Sequence, residues 1–233
     1  MQNKEKALLT QLDEIAKQDL CLAFSGGVDS SLLLKLVMDA SAKYGTKVYA
    51  VTFQTRLHPP CDLETATRVA KEVGAVHEVL FVDELEQEAI RYNPENRCYL
   101  CKHYLFGKLL EFARDHGVTQ VLDGTNEDDL HVYRPGESAE RIWCHQPACS
   151  VSCDKTEVKH LLQVRRFRST PSIHSMYGDT PSLRAEINYD VLDRIADGEH
   201  GFIRCSVRKR ISVCVYMAMW CVLKSHRSVW GKC

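Results

Sequence analysis

Seven consecutive residues, Ser25-Gly26-Gly27-Val28-Asp29-Ser30-Ser31, carry the plainest chemical signal in the sequence. Two glycines allow a tight turn and a close approach of backbone to ligand, and the hydroxyls of Ser25, Ser30 and Ser31 add donors. An apolar run over 19–24 precedes the turn and a helical pattern from Ser30 follows it. The free N–H groups of a helix start, and the positive end of its dipole, therefore lie at this point. Such an arrangement binds anions, and a phosphate group is the expected occupant. Asp29 suits a magnesium ion or a brace for the loop. The stretch lacks the lysine of G-x-x-x-x-G-K-[ST] and the spacing of G-x-G-x-x-G, so it is neither of those two phosphate loops. Its bland alternative is an ordinary serine-capped turn.

Two further stretches could do chemistry. In Asp123-Gly-Thr-Asn-Glu-Asp-Asp-Leu130, Gly124 permits close approach to a nucleotide and Thr125 and Asn126 offer hydrogen bonds. Asp128 and Asp129 are candidates for the magnesium that escorts nucleotide phosphates. Read alone, the same residues make a polar turn that caps a helix. Just behind them Arg134 presents a planar fork suited to a phosphate or carboxylate. Cys98 and Cys101, spaced C-x-x-C at a helix start, suit half a zinc site, a redox pair or two ligands of an iron–sulfur cluster. The helix N-terminus, with Arg97 and Lys102 nearby, is expected to favour thiolate. Two packed core cysteines are the alternative, and Cys21, inside an apolar run, reads as core.

The elements that must position these groups alternate. An amphipathic helix over 3–17 leads to a strand, the glycine loop and a helix to about Tyr44, and 47–53 is rich in β-formers. A helix from Asp62 to Val73, a strand from Val76, a short helix from Asp83, a helix from about Tyr99 to His116 and a strand over 119–122 complete the series. Alternation of this kind gives an α/β fold, a doubly wound parallel sheet with ligands beyond the carboxyl ends of its strands. All three stretches and Phe53, at the end of the second strand, fall at that edge. Residues 1–150 are expected to form this domain, and 151–233 a small, poorly formed α+β region.

With 233 residues and a formal net charge of −1, the chain can bury a full core and presents no bulk attraction for a polyanion or a membrane surface. Nucleic acid is not an expected partner. The charged start has no apolar signal segment and no run approaches the ~20 apolar residues of a membrane span, so a cytoplasmic location is expected. Of eleven cysteines, Cys21, Cys61, Cys98 and Cys101 fall early and the rest crowd beyond residue 140.

SGGVDSS resembles the pyrophosphate loop of the PP-loop ATP pyrophosphatases. Together with NPENRCYLCK, DGTNEDDL and YRPG, in this order, the sequence to about residue 136 resembles the LarE family of ATP-dependent sacrificial sulfur transferases. The resemblance implies MgATP at Ser25, Gly26, Gly27, Asp29, Ser30 and Ser31, with Phe53, Gly124, Thr125 and Asn126 near the nucleotide. It implies adenylation of a carboxylate of pyridinium-3,5-biscarboxylic acid mononucleotide, attack by a sulfur nucleophile and release of a thiocarboxylate, within nickel-pincer nucleotide biosynthesis. It also implies a homo-oligomer and, because Cys98 and Cys101 match the C-Y-x-C pair of some members, a [4Fe–4S] cluster that relays sulfur.

Beyond Gly136 the resemblance is patchy. The family's P-C-L-A-T-R segment, which holds a third cysteine, is replaced by Ser175-Met176-Tyr177. Read one base later, Trp143-Cys144 gives glycine and Met176-Tyr177 gives cysteine. Two bases later, Met217-Ala218 gives glycine and Met219-Trp220-Cys221 two valines, as the family pattern requires. Parts of 137–233 are therefore expected to be out of frame, with sulfur transfer lost. The rival readings are a tRNA 2-thiouridylase, a GMP or NAD synthase sharing only the loop, and a non-catalytic ATP-binding remnant.

Overall fold

The computed structural model describes residues 2–57, 60–128, 144–164, 184–190, 192–194 and 196–197. Four short runs become strands: β1 Leu20–Ala23, β2 Val48–Gln54 and β4 Gln120–Asp123 offer buried apolar side chains to the core, and β3 Val76–Phe81 forms a half-buried edge strand. They form one parallel sheet in the order β3-β2-β1-β4. Ala23 is in register with Val51 on one side and Asp123 on the other. The expected α/β class and parallel sheet are what the chain adopts.

Alternation along the strands supplies a core on each face. Leu20 and Leu22 join Val48 and Ala50 on one face, under α1 (Gln2–Ile15), α2 (Val28–Ser41), α3 (Pro60–Val73) and a later helix, α7 (Lys155–Val164). Cys21, Val51 and Val121 point the other way and meet Phe106, Leu109 and Ala113 of α5 (Arg97–Asp115). Burial pushes the Cys21 thiol up to about 12, as expected for a core cysteine. Beside β4, Asp123 N–H donates to the His145 carbonyl (2.9 Å) and His145 N–H to that of Val121 (2.7 Å), so the chain rejoins the sheet in parallel before α6 (Pro147–Ser150).

Two compact units share the chain. The first comprises Met1–Thr55, Pro60–Asp83 and Glu95–Ser172, and so includes α7. The second comprises Arg56–Pro59, Glu84–Pro94 and Ile173–Cys233. Its described part contains a short 3₁₀ turn (Glu84–Glu86) and α4 (Glu88–Arg91). Arg56 there pairs with Asp193 (2.8 Å) and lies over the Tyr189 ring. Among the described residues no helix is long and apolar enough to cross a membrane.

Candidate functional site

The strand order reverses at β1. The chain moves from β1 to β2 and β3 on one side and later returns to place β4 on the other, so the loops leaving β1 and β4 diverge and open a crevice at the carboxyl edge. Those two loops are Ser25–Gly27 with the start of α2, and Asp123–Asp128.

The first loop is braced by its own hydroxyls. Ser31 Oγ donates to the Gly26 carbonyl (3.1 Å), Ser30 Oγ to that of Gly27 (3.3 Å), and Ser25 Oγ accepts the Gly27 N–H (3.3 Å) and lies 3.1 Å from Ser30 Oγ. Ser31 is wholly buried and Ser30 nearly so. Among the serines expected to contact a ligand, these two instead hold the loop's shape, and Ser25 is exposed.

The glycines differ in why they are glycine. Gly26 has φ +74°, and a Cβ there would lie 2.8 Å from the Ala66 amide nitrogen of α3, so both conformation and space require it. Gly124 is needed for packing, since a Cβ would fall 3.0 Å from Ser30 Cα at the start of α2. Gly27 is under a weaker constraint. Its φ of −68° and ψ of 170° suit any residue, and a Cβ would press only on Ser25 Oγ, at 3.3 Å. It is the N-cap of α2 and makes no side-chain cap, so no side chain of its own covers the helix's first amides.

The second loop departs from expectation. Asp123 Oδ2 accepts from Thr125 Oγ1 (2.5 Å), Lys102 Nζ (3.3 Å) and Gln146 Nε2 (3.3 Å), so the Thr125 hydroxyl is engaged within the protein. Asn126 is fully buried, and Glu127 N–H donates to the Cys153 carbonyl (3.0 Å). Asp128 accepts the Lys155 N–H (2.9 Å) at the start of α7, which Asp154 and Glu157 also cap reciprocally. Asp128 thus takes part in capping the start of α7. Asp29 Oδ1 is enclosed, and the residue lines a small cavity with Leu8, Leu33, Cys153 and Val158. Asp129 and Arg134 lie outside the described residues, as does Ser175-Met176-Tyr177.

Lys102 brings the thiol helix to this edge, since it follows Cys101 on α5 and reaches Asp123. Cys98 is exposed and receives Arg97 NH2 at 3.4 Å, whereas Cys101 is buried. Phe53 is half-buried against the α5 face. Cys144, near Asp123, is pushed up to about 12 by burial and, less, by the Asp123 charge. Cys153 is pushed up to about 11, again chiefly by burial.

Fitted against the implied groups, these residues suit ATP better than a bound metal. The amide edge at Gly27 matches a phosphate chain. Two cysteines one helical turn apart supply two ligands where a cluster needs three or four, and no three His, Cys, Asp or Glu side chains converge among the described residues. Asp123 and Lys102 went unrecognised as site residues. The only sequence signal was their place at a strand end and beside a cysteine.

Comparison with known proteins agrees with this geometry. Residues 1–97 match the PP-loop domain family. The chain is 36% identical over 144 residues to the uncharacterized protein slr1717 of Synechocystis, covering 61% of this chain and 53% of that protein. It is 32% identical over 136 residues to the pyridinium-3,5-bisthiocarboxylic acid mononucleotide synthase of Lactiplantibacillus plantarum, covering 58% of this chain and 48% of that protein. The chain therefore spans about half the length of the curated relatives it matches. A solved U34-tRNA thiolase from Methanococcus maripaludis, with its [4Fe-4S] cluster, shares the fold at a TM-score of 0.52 and 14% identity, over 84% of this chain and 75% of that one.

Proposed function

We propose that the N-terminal part of this chain, whose residues 1–97 match the PP-loop domain family, binds MgATP at Ser25–Ser31 and adenylates a carboxylate. One observation carries the reading: the Gly27 backbone would suit any residue and a Cβ there would press only on the Ser25 hydroxyl, yet a glycine stands where the start of α2 has no side-chain cap. A phosphate lying against that backbone supplies the reason. Magnesium arrives with the ATP, since the described carboxylates do not gather around an ion of their own. In the reaction a carboxylate oxygen bonds to the α-phosphorus and the bond to the bridging oxygen breaks, so pyrophosphate leaves and an acyl adenylate remains. Positioned amides at the loop stabilise the charge on the departing phosphates.

The substrate we propose is the pyridinium dicarboxylate mononucleotide, because the Lactiplantibacillus relative is named as the synthase of the corresponding bisthiocarboxylic acid. Sulfur transfer then requires a thiolate to displace AMP from the acyl carbon. Cys98 is the exposed thiol of the described residues, and with the third motif cysteine replaced, adenylation is expected without efficient transfer.

Substitution Gly27→Ala tests the loop. Titration calorimetry should show at least about tenfold weaker MgATP binding, as for lost charge-assisted contacts, while stability falls by less than about 1 kcal/mol. Equal affinity in G27A and the parent would refute the assignment. For the finer reading, mass spectrometry after incubation with ATP, magnesium and the dicarboxylate should find pyrophosphate with the acyl adenylate, or with the AMP that water releases from it, but no thiocarboxylate. Thiocarboxylate formed at the rate of an intact relative would refute the loss of transfer, and an in-frame nucleotide sequence across 137–233 would remove its cause.

A further inference from the structure

Thr52 and His77 form a polar pair on an otherwise apolar face of the sheet, away from the motifs read above. Thr52 Oγ1 lies 2.8 Å from the Phe24 carbonyl oxygen and 2.9 Å from His77 Nε2. A carbonyl can only accept, so the single hydroxyl proton of Thr52 goes to Phe24. The hydroxyl must then accept from the imidazole, which places a hydrogen on Nε2. Burial lowers the His77 pKa against a smaller opposing pull from Glu78, so the ring stays uncharged.

Phe24 is the last residue before the loop. Its N–H donates to the Val51 carbonyl (2.8 Å), its carbonyl receives Thr52, and its ring meets His77 edge-on at 6.3 Å. The residue that launches Ser25 is thus held through amide, carbonyl and side chain together. We propose that His77 is a positioning residue for the phosphate loop: through Nε2–H it orients the Thr52 hydroxyl, which fixes the Phe24 carbonyl and with it the direction in which the loop leaves β1 towards the start of α2. This rests on the reading of that loop as the ATP site.

Both halves of the inference can be measured on the full chain. Nitrogen-15 NMR of the parent protein at neutral pH should show His77 as the Nε2–H tautomer, its signals identified by their loss in His77→Gln. In calorimetry, Thr52→Val and His77→Gln should weaken MgATP binding by about fivefold, the size of one lost hydrogen bond, and Thr52→Ser should restore the parent affinity. An Nδ1–H tautomer at His77, or parent affinity in T52V, would overturn the positioning role while leaving the loop assignment intact. Failure of the parent chain to bind MgATP would overturn the loop assignment and the positioning role together. The parent spectrum and the T52S rescue do not depend on whether T52V folds.

Discussion

The loops after β1 and β4 face the same crevice but are held in different ways. The first takes its support from itself: Ser25, Ser30 and Ser31 bond to backbone and hydroxyl groups within the same seven residues. The second is held from outside, by Lys102 of α5, by Gln146 beside the sheet, and by the capped start of α7. A self-braced loop keeps its internal shape wherever its strand and helix are formed, and only its entry at Phe24 leans on Thr52 and His77. A loop braced by three distant segments keeps its shape only when all three are in place, so changes far along the chain reach the site through it.

The largest separation of the two should come from glycine. Gly26→Ala meets both a positive φ and the α3 backbone, so urea unfolding should show a loss of about 2–4 kcal/mol. Gly124→Ala, crowded but not strained in φ, should lose about 1–2 kcal/mol. Equal losses would mean that the two loops are not braced differently.

Alkaline titration should act on the supports of the second loop. The thiols of Cys144 and Cys153 have folded pKa values raised to about 12 and about 11 from 9.0. A raised folded pKa means that the folded state keeps protons the unfolded chain has released, so this stability is full below pH 9 and lost as pH climbs towards 11–12. The expected slope is at most about 1.4 kcal/mol per pH unit for each of these thiols and for Cys21, whose pKa is raised likewise, read from unfolding midpoints between pH 9 and 11. A flat profile would show that both thiols are more open to water than their burial implies.

Removing the Asp154 cap by alanine should cost about 1 kcal/mol, because two α7 amides lose their acceptor. The same change should speed hydrogen exchange at Glu127 while leaving Ser31 unaffected. The smallest effect belongs to Lys102→Met. Its ion pair is partly exposed and should contribute only about 0.5 kcal/mol, seen as a slight shift of the thermal midpoint.

The same contrast explains what could be read in advance. The strand ends, the helix starting near Ser30 and the parallel order follow from local periodicity, and the self-braced loop follows from seven adjacent residues. Asp128 illustrates the opposite case. Its carboxylate looks suitable for magnesium in the sequence, and only tertiary packing brings the Lys155 amide to it. Thr125 shows the same ambiguity, since polar residues in a strand-end loop do not reveal whether their partners will be protein or ligand. His77 gave no motif at all. Its meaning comes from the register that sets Ala50 against His77 and so places the ring beside Thr52.

The central position of β1 also sets an order of events during synthesis. Its edge towards β2 can close once Val48–Gln54 has emerged, whereas the opposite edge must wait for Gln120–Asp123, with three helices and another strand made in between. Throughout that interval the nascent chain presents Leu20–Ala23 with one row of amides and carbonyls unmatched. An unmatched apolar edge recruits other strands, so slow or interrupted translation before β4 emerges exposes this chain to aggregation at its own most buried segment.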